Sequence, residues 1–217
     1  MAVIFDLDGV LIDSEALQYE AYTTVLARYA VRVSAADYAR YWIAEGRGPE
    51  YAVQTYGLPL TPDALRALRN PVYHALMRQR ATLMPGALAA VERLHGRFPL
   101  AIATNSNRDD VGFLVDHFGL ARFFAAIVTR EDYRRAKPEP DAYLTAAARL
   151  NRPAAACLVV EDAYRGIVAA YRAGATTVAV PNEFTRDNDF ALAARVLRGL
   201  DELTVELVAE LLRAHPA

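Results

Sequence analysis

Residues 1–15 read MAVIFDLDGVLIDSE. The apolar run Ala2 to Phe5 is short, contains β-branched residues and stops at Asp6. That is the pattern of a strand buried on both faces of a parallel sheet. Just beyond it stand Asp6, Asp8 and Gly9. Similar runs recur at Leu100 to Ala103, Ala125 to Val128, Cys157 to Val160 and Thr177 to Val180. Helical periodicity fills most of the gaps, over Asp109 to Phe118, Asp141 to Leu150, and Tyr164 to Ala173 before a stop at Gly174. This alternation predicts an α/β fold, a doubly wound parallel sheet with helices on both faces.

The stretch 14–83 breaks the alternation. It is helical in pattern, with breaks at Gly46 to Pro49, Gly57 to Pro62 and Asn70-Pro71, and it holds eight of the twelve tyrosines and the sole tryptophan, Trp42. The expected organisation is a core of residues 1–13 and 84–217, interrupted by a small helical domain over 14–83. Asp201 to Ala214 is amphipathic and predicts one closing helix. His74, His95, His117 and His215 follow no predicted strand and are read as structural or exposed.

Composition narrows the classes further. The chain has 217 residues, 54% hydrophobic and 23% charged, with a formal net charge of -2. No global field draws it to nucleic acid or anionic membrane. The single cysteine, Cys157, excludes an internal disulfide and zinc sites built on cysteine pairs, and its apolar surroundings predict a buried thiol. With no basic leader and no apolar run of spanning length, a cytoplasmic protein is expected, either monomer or homodimer. The 24 basic residues are 23 arginines and one lysine, Lys137.

Ligands of a doubly wound sheet bind beyond the carboxyl ends of its strands. The residues there are Asp6 and Asp8, then Thr104-Asn105-Ser106-Asn107, then Thr129, Arg130 and Lys137, then Glu161 and Asp162. Four carboxylates at one sheet edge repel each other, and burial raises their pKa values unless cations compensate. One lysine is too little; a hard divalent ion with oxygen ligands, best Mg²⁺, completes the balance and leaves room for a phosphate. Asp6 can then serve as nucleophile and Asp8 as acid and base. Thr104 can donate to a phosphoryl oxygen, and Gly9 lets the chain turn away without crowding the site.

These residues resemble the haloacid dehalogenase-like phosphohydrolases, through FDLDGVLIDSE, AIATNS, AKPEPDAY and VVEDAYRGIVAAYRAG in that order. The resemblance implies a Rossmann-like core, a small helical cap inserted after the first motif, and Mg²⁺-dependent phosphoryl transfer through an aspartyl-phosphate on Asp6. It implies that Asp8 protonates the leaving oxygen and then activates water. It implies that Thr104 and Lys137 hold the phosphoryl group, and that Asp162 with Glu161 holds the metal beside Asp6 and the Asp8 carbonyl. A phosphatase acting on a small phosphorylated metabolite is expected, such as a phosphosugar or a phosphoglycolate-like monoester. In the related sugar-phosphate mutases a histidine occupies the place of Gln18 and cap lysines bind phosphate. Gln18 and the lack of a cap lysine argue against a phosphomutase of the β-phosphoglucomutase type. A catalytically idle binding protein should have lost one of these groups, and none is lost.

Several positions have two readings. Glu161 is either a direct ligand or a residue behind the ligands. Asn105 and Ser106 either contact phosphate or shape their loop. Arg47, between Gly46 and Gly48, either reaches a second anionic group of the substrate or is solvated. Gln18 is a candidate for facing the leaving group. The tyrosines and Trp42 either line a pocket or build the core of the insert.

Overall fold

β1 (Ala2–Phe5) lies at the centre of a parallel sheet with β2 (Leu100–Ala103), β3 (Ala126–Val128), β4 (Cys157–Glu161), β5 (Thr176–Ala179) and β6 (Arg195–Val196), in the order β3-β2-β1-β4-β5-β6. The computed structural model describes residues 1–214; His215 and the end of the 84–217 segment fall outside them. The period-2 geometry of a strand sorts the core into two layers. Val3, Phe5, Leu100, Ile102, Leu158 and Val160 face one side, packing on α5 (Ala87–Leu94), α6 (Arg108–His117) and α9 (Val205–Ala214). Ala2, Ile4, Ala101, Ala103 and Val159 face the other, packing on α7 (Asp141–Arg149) and α8 (Tyr164–Arg172). The small residues on this second face let the alanine-rich α7 approach closely.

β1 pairs with β2 on one side, Phe5 beside Ile102, and with β4 on the other, Phe5 beside Val160. The winding reverses around β1, so its carboxyl end opens into the crevice where doubly wound sheets bind ligands.

Between β1 and α5 the chain forms α1 (Glu15–Ala27), α2 (Ala35–Asp37) with a π-helical continuation over Tyr38–Ala44, α3 (Gly48–Tyr56) and α4 (Pro62–Arg80). These bury their own cluster, with Tyr22, Val25, Leu26, Tyr38, Ile43 and Leu65 at its centre. The two connections to the sheet run side by side: the Asp13 N–H donates to Thr82 O at 2.9 Å and the Met84 N–H to Leu11 O at 2.9 Å.

Three details differ from the sequence expectation. α4 continues through Asn70-Pro71. A proline removes one ladder bond, and burial of Leu65, Tyr73 and Met77 on both sides of it keeps the helix in one piece. The closing helix starts at Val205, because Leu200–Glu202 forms a separate 3₁₀ turn. β6 has only two residues, both exposed, and so no apolar run announced it.

Candidate active site

Asp6 leaves the end of β1 with its carboxylate buried, and Lys137 Nζ donates to its Oδ1 at 2.6 Å. The lysine comes from the loop before α7 and is itself 4% exposed. Its other two protons go to Ala103 O at 2.9 Å and Glu161 Oε1 at 2.8 Å. All three ammonium protons are thus used, and Asp6 Oδ2 has no hydrogen-bond partner among the described residues. Burial alone would lower the lysine pKa; Asp6 and Glu161, by charge and hydrogen bond, outweigh it and hold Lys137 firmly protonated.

Asp8, two residues on, is oriented by three hydroxyls. Ser14 Oγ donates to its Oδ1 at 2.5 Å, and Ser106 Oγ and Thr104 Oγ1 donate to Oδ2 at 2.6 and 3.1 Å. Thr104 Oγ1 also accepts the Ser106 N–H at 3.0 Å, which tightens the turn after β2. Thr104 therefore holds Asp8 in this structure. Gly9 makes the turn possible at φ +73°, and a Cβ there would overlap the Asp162 carboxylate and Asn182 Nδ2. Its absence lets the first turn lie directly against the fourth strand end.

Glu161 and Asp162 finish β4 with different surroundings. Glu161 Oε1 accepts from Lys137 and from the Tyr143 hydroxyl at 2.6 Å, while Oε2 accepts the N–H groups of Asp162 and Ala163 at 3.0 and 3.1 Å. Burial pushes this carboxyl up, but Lys137, Tyr143 and the backbone outweigh it and hold it below its ordinary value. Among the described residues the Asp162 carboxylate has only the Asn182 amide, 2.7 Å from its Oδ2. Burial, then Glu161 and Asp6, push Asp162 well above its ordinary value. Asp6 is raised too, by burial first and by Glu161 and Asp8, with Lys137 opposing.

Ligand atoms of Asp6, Glu161 and Asp162 lie within 4.8 Å of one another, all buried. Two of these three carboxyls are driven towards protonation in the protein alone. That is the state expected of oxygen ligands whose positive charge is supplied by a cation. The donor set is all oxygen and suits a hard divalent ion.

A cavity of about 340 Å³ covers the site, between the sheet edge and the helical insert. Asp6, Asp8, Thr104, Asn105, Lys137, Glu161, Asp162 and Gln18 all lie on its wall. Asn105 Oδ1 accepts the Lys137 N–H at 3.1 Å and lies 2.7 Å from the Tyr133 hydroxyl, so this side chain fastens the lysine loop. Arg47 is not on the wall. It pairs with Glu45 at 2.5 Å, lies over the Tyr41 ring and is half exposed. The space beside Gly46 holds the Arg165 guanidinium instead.

The cavity also brings in Arg130 of the strand-end set and Tyr73 of the insert, and residues that sequence reasoning missed, among them Glu15, Arg69 and Arg165. Arg69 had a readable signal. Leu65, Arg69, Tyr73 and Met77 recur every four residues, a buried stripe with one charge in it. Ser14, Asn182 and Arg165 had weaker ones: Asn182 follows β5, Arg165 opens the helix after β4, and Ser14 closes the first motif.

The haloacid dehalogenase-like hydrolase family model matches residues 1–174, and the chain belongs to that family. It is 30% identical over 94% of its length to the bifunctional riboflavin kinase/FMN phosphatase of Arabidopsis thaliana, of which it spans 54%. It is also 30% identical to the fructose-1-phosphate phosphatase YqaB of Escherichia coli, over 82% of this chain and 95% of that one. Among solved structures, CbbY from Rhodobacter sphaeroides in complex with phosphate superposes with a TM-score of 0.80 at 26% identity, covering 93% of this chain and 95% of CbbY. The enzymatic class is that of the phosphoric monoester hydrolases.

Proposed function

We propose that this enzyme is a Mg²⁺-dependent phosphatase that hydrolyses a small phosphorylated metabolite, a phosphosugar or phosphoglycolate-like monoester, through an aspartyl-phosphate on Asp6. One observation carries the reading: Lys137 fixes one oxygen of Asp6 at 2.6 Å and leaves the other unpartnered, beside an Asp8 carboxylate oriented by three hydroxyls. Residues 1–13 and 84–217 are the catalytic core in this reading, and 14–83 the cap.

Asp6, Asp162 and the Asp8 carbonyl would hold the divalent ion, which when bound supplies positive charge to the phosphoryl oxygens. Glu161 has both oxygens engaged, and it serves this site by holding Lys137 and the turn at Asp162. Asp6 Oδ2 attacks phosphorus; the bond from phosphorus to the ester oxygen breaks, and Asp8, which enters this step as the carboxylic acid, gives that oxygen its proton and is left as the carboxylate. Asp8 then takes a proton from water as the water oxygen bonds to phosphorus. The bond from phosphorus to Asp6 breaks, releasing inorganic phosphate and restoring the carboxylate. Phosphoryl transfer depends mainly on positioning and charge neutralisation; the lysine–carboxylate cluster supplies the positioning, and the bound cation would supply the charge. Thr104 keeps Asp8 in place for both proton transfers, and the loop held by Asn105 keeps Lys137 over Asp6. The paired connections at Leu11–Asp13 and Thr82–Met84 give the cap a short hinge for admitting water between the two steps.

Gln18 supports hydrolysis over mutase chemistry. It lies on the cavity wall, and an amide cannot exchange a proton with a substrate hydroxyl at neutral pH. Phosphate release from p-nitrophenyl phosphate and a panel of sugar phosphates, with Mg²⁺ or with EDTA, tests the reading. Release should require the metal and should fall by more than about 10³-fold in Asp6→Asn. Metal-independent release, activity retained in Asp6→Asn, or sugar-phosphate interconversion outrunning release would overturn it.

A further inference from the structure

We infer that the substrate carries a second anionic group, a phosphate or carboxylate, which Arg69 of the helical insert and Arg165 of the sheet domain bind from facing domains. This rests on the phosphatase reading above.

The catalytic cavity continues into a polar recess of about 290 Å³, and Arg69 and Arg165 lie on the walls of both. Arg66, also on the recess, is neutralised by Glu50 at 2.5 Å and Asp63 at 2.8 Å. Neither Arg69 nor Arg165 has a carboxylate within ion-pair distance among the described residues. Arg69 is held by stacking, its guanidinium 5.1 Å from the Tyr22 and Tyr73 ring centres, and its Nε is buried without a partner. Arg165 donates to the Lys137 carbonyl, and its remaining guanidinium faces the cap loop at Gly46, where a Cβ would overlap it. Arg130, elsewhere on the wall, donates to the carbonyls of Tyr133 and Arg134. Trp42 lines the same two walls.

Two guanidiniums without a carboxylate partner, on the walls of one recess, call for an acceptor-rich, negatively charged ligand. A charge held in a partly buried site without a partner is costly. The planar fork of arginine matches phosphate and carboxylate oxygens. Glu15 is the carboxyl that shares this space. Burial and Asp8 push it up to about 7, and the Tyr38 hydroxyl donates to it at 2.9 Å. At neutral pH it is a partial counter-ion for Arg69, with an oxygen left for a substrate hydroxyl. Because one arginine belongs to each domain, the anion would also tie the cap to the core over the scissile group. The combined space admits a small metabolite.

The test compares kcat/KM on p-nitrophenyl phosphate, a hexose monophosphate, the matching hexose bisphosphate and phosphoglycolate. Wild type should prefer the bis-anions by at least about tenfold, mainly in KM. The bisphosphate and phosphoglycolate arms tell a second phosphate from a carboxylate. Arg69→Gln and Arg165→Gln should each lose about 10–100-fold on the preferred bis-anion, exceeding their loss on p-nitrophenyl phosphate by at least tenfold. Arg69→Lys, which keeps the charge, should recover part of it. Calorimetric titration of the bisphosphate into Asp6→Asn, with and without Arg165→Gln, reads the same subsite without turnover. Phosphate release without bis-anion preference, or equal losses on every substrate, overturns the subsite alone. Arginine-dependent binding in a protein that releases no phosphate supports the subsite and overturns the phosphatase reading.

Discussion

The sheet edge and the helical insert build opposite walls of one cavity by different means. At the sheet edge every charged group is satisfied by the protein or arranged for a cation: Lys137 spends three protons, Glu161 four lone-pair contacts, and Asp8 accepts three hydroxyls. Across the cavity, Arg69 Nε and Trp42 Nε1 are left without partners. The first wall is closed by its own hydrogen bonds; the second leaves donors and guanidinium charge unused. In the proposed reading, the chemistry common to every substrate belongs to the first wall, and the choice among substrates belongs to Arg69 on the second and to Arg165 facing it.

The largest effect expected is on the first wall. Lys137→Arg should lower kcat by about 10²–10³ on every substrate alike, because a planar fork cannot reproduce three contacts from one compact ammonium. Steady-state kinetics within a few-fold of wild type would show that the cluster tolerates substitution, and the contrast between the walls would fail.

Tyr143→Phe comes next. The change removes one buried hydrogen bond to Glu161 and keeps the ring that lies 4.5 Å from Lys137 Nζ. A bond to a charged group is worth about 1.5–3 kcal/mol, so kcat should fall by about tenfold or more with KM little changed. A change in KM alone would place Tyr143 with the substrate-choosing residues.

Glu15→Gln probes the boundary between the walls through pH. The Glu15 carboxyl is pushed up to about 7, burial first and then Asp8. A raised carboxyl favours the fold when protonated. Its contribution is complete below the ordinary glutamate value and is lost as the pH rises through about 7. In metal-free protein the variant should gain about 1–3 kcal/mol relative to wild type at pH 8.5 over its standing at pH 4.5. Thermal melts at the two pH values check this; an equal difference at both would mean that Glu15 is not strained by burial.

The smallest effect belongs to Arg47, which the sequence made a candidate and the fold places outside the cavity. Arg47→Ala should leave kcat/KM within about threefold on every substrate in the panel. A larger loss on bis-anions alone would move the second-anion subsite towards Arg47.

The same contrast explains what the sequence could disclose. Parallel strands read as apolar runs, and the polar residues after Phe5, Ala103 and Glu161 lie together because the sheet puts those ends side by side. Function there follows from chain order. In the insert it follows from helix rotation, which patterns resolve less well: the flanking glycines favoured Arg47, while Arg69 was hidden inside a stripe of core residues. Pro71 looked like a boundary because local propensity says so, and packing on either side overrode it. Asn182 and Arg165 were within reach of the strand-end rule, had it been applied past β5 and into the first turn of α8.

The most direct measurement is to quench the enzyme during turnover of p-nitrophenyl phosphate with Mg²⁺, reduce with borohydride, and map the peptides by mass spectrometry. A covalent acyl-phosphate at Asp6 predicts reduction to homoserine at position 6 and nowhere else, absent from Asp6→Asn and from enzyme without substrate. Turnover with position 6 unmodified, or modification at Asp8 or Asp162 in its place, would contradict the assignment of Asp6 as the nucleophile.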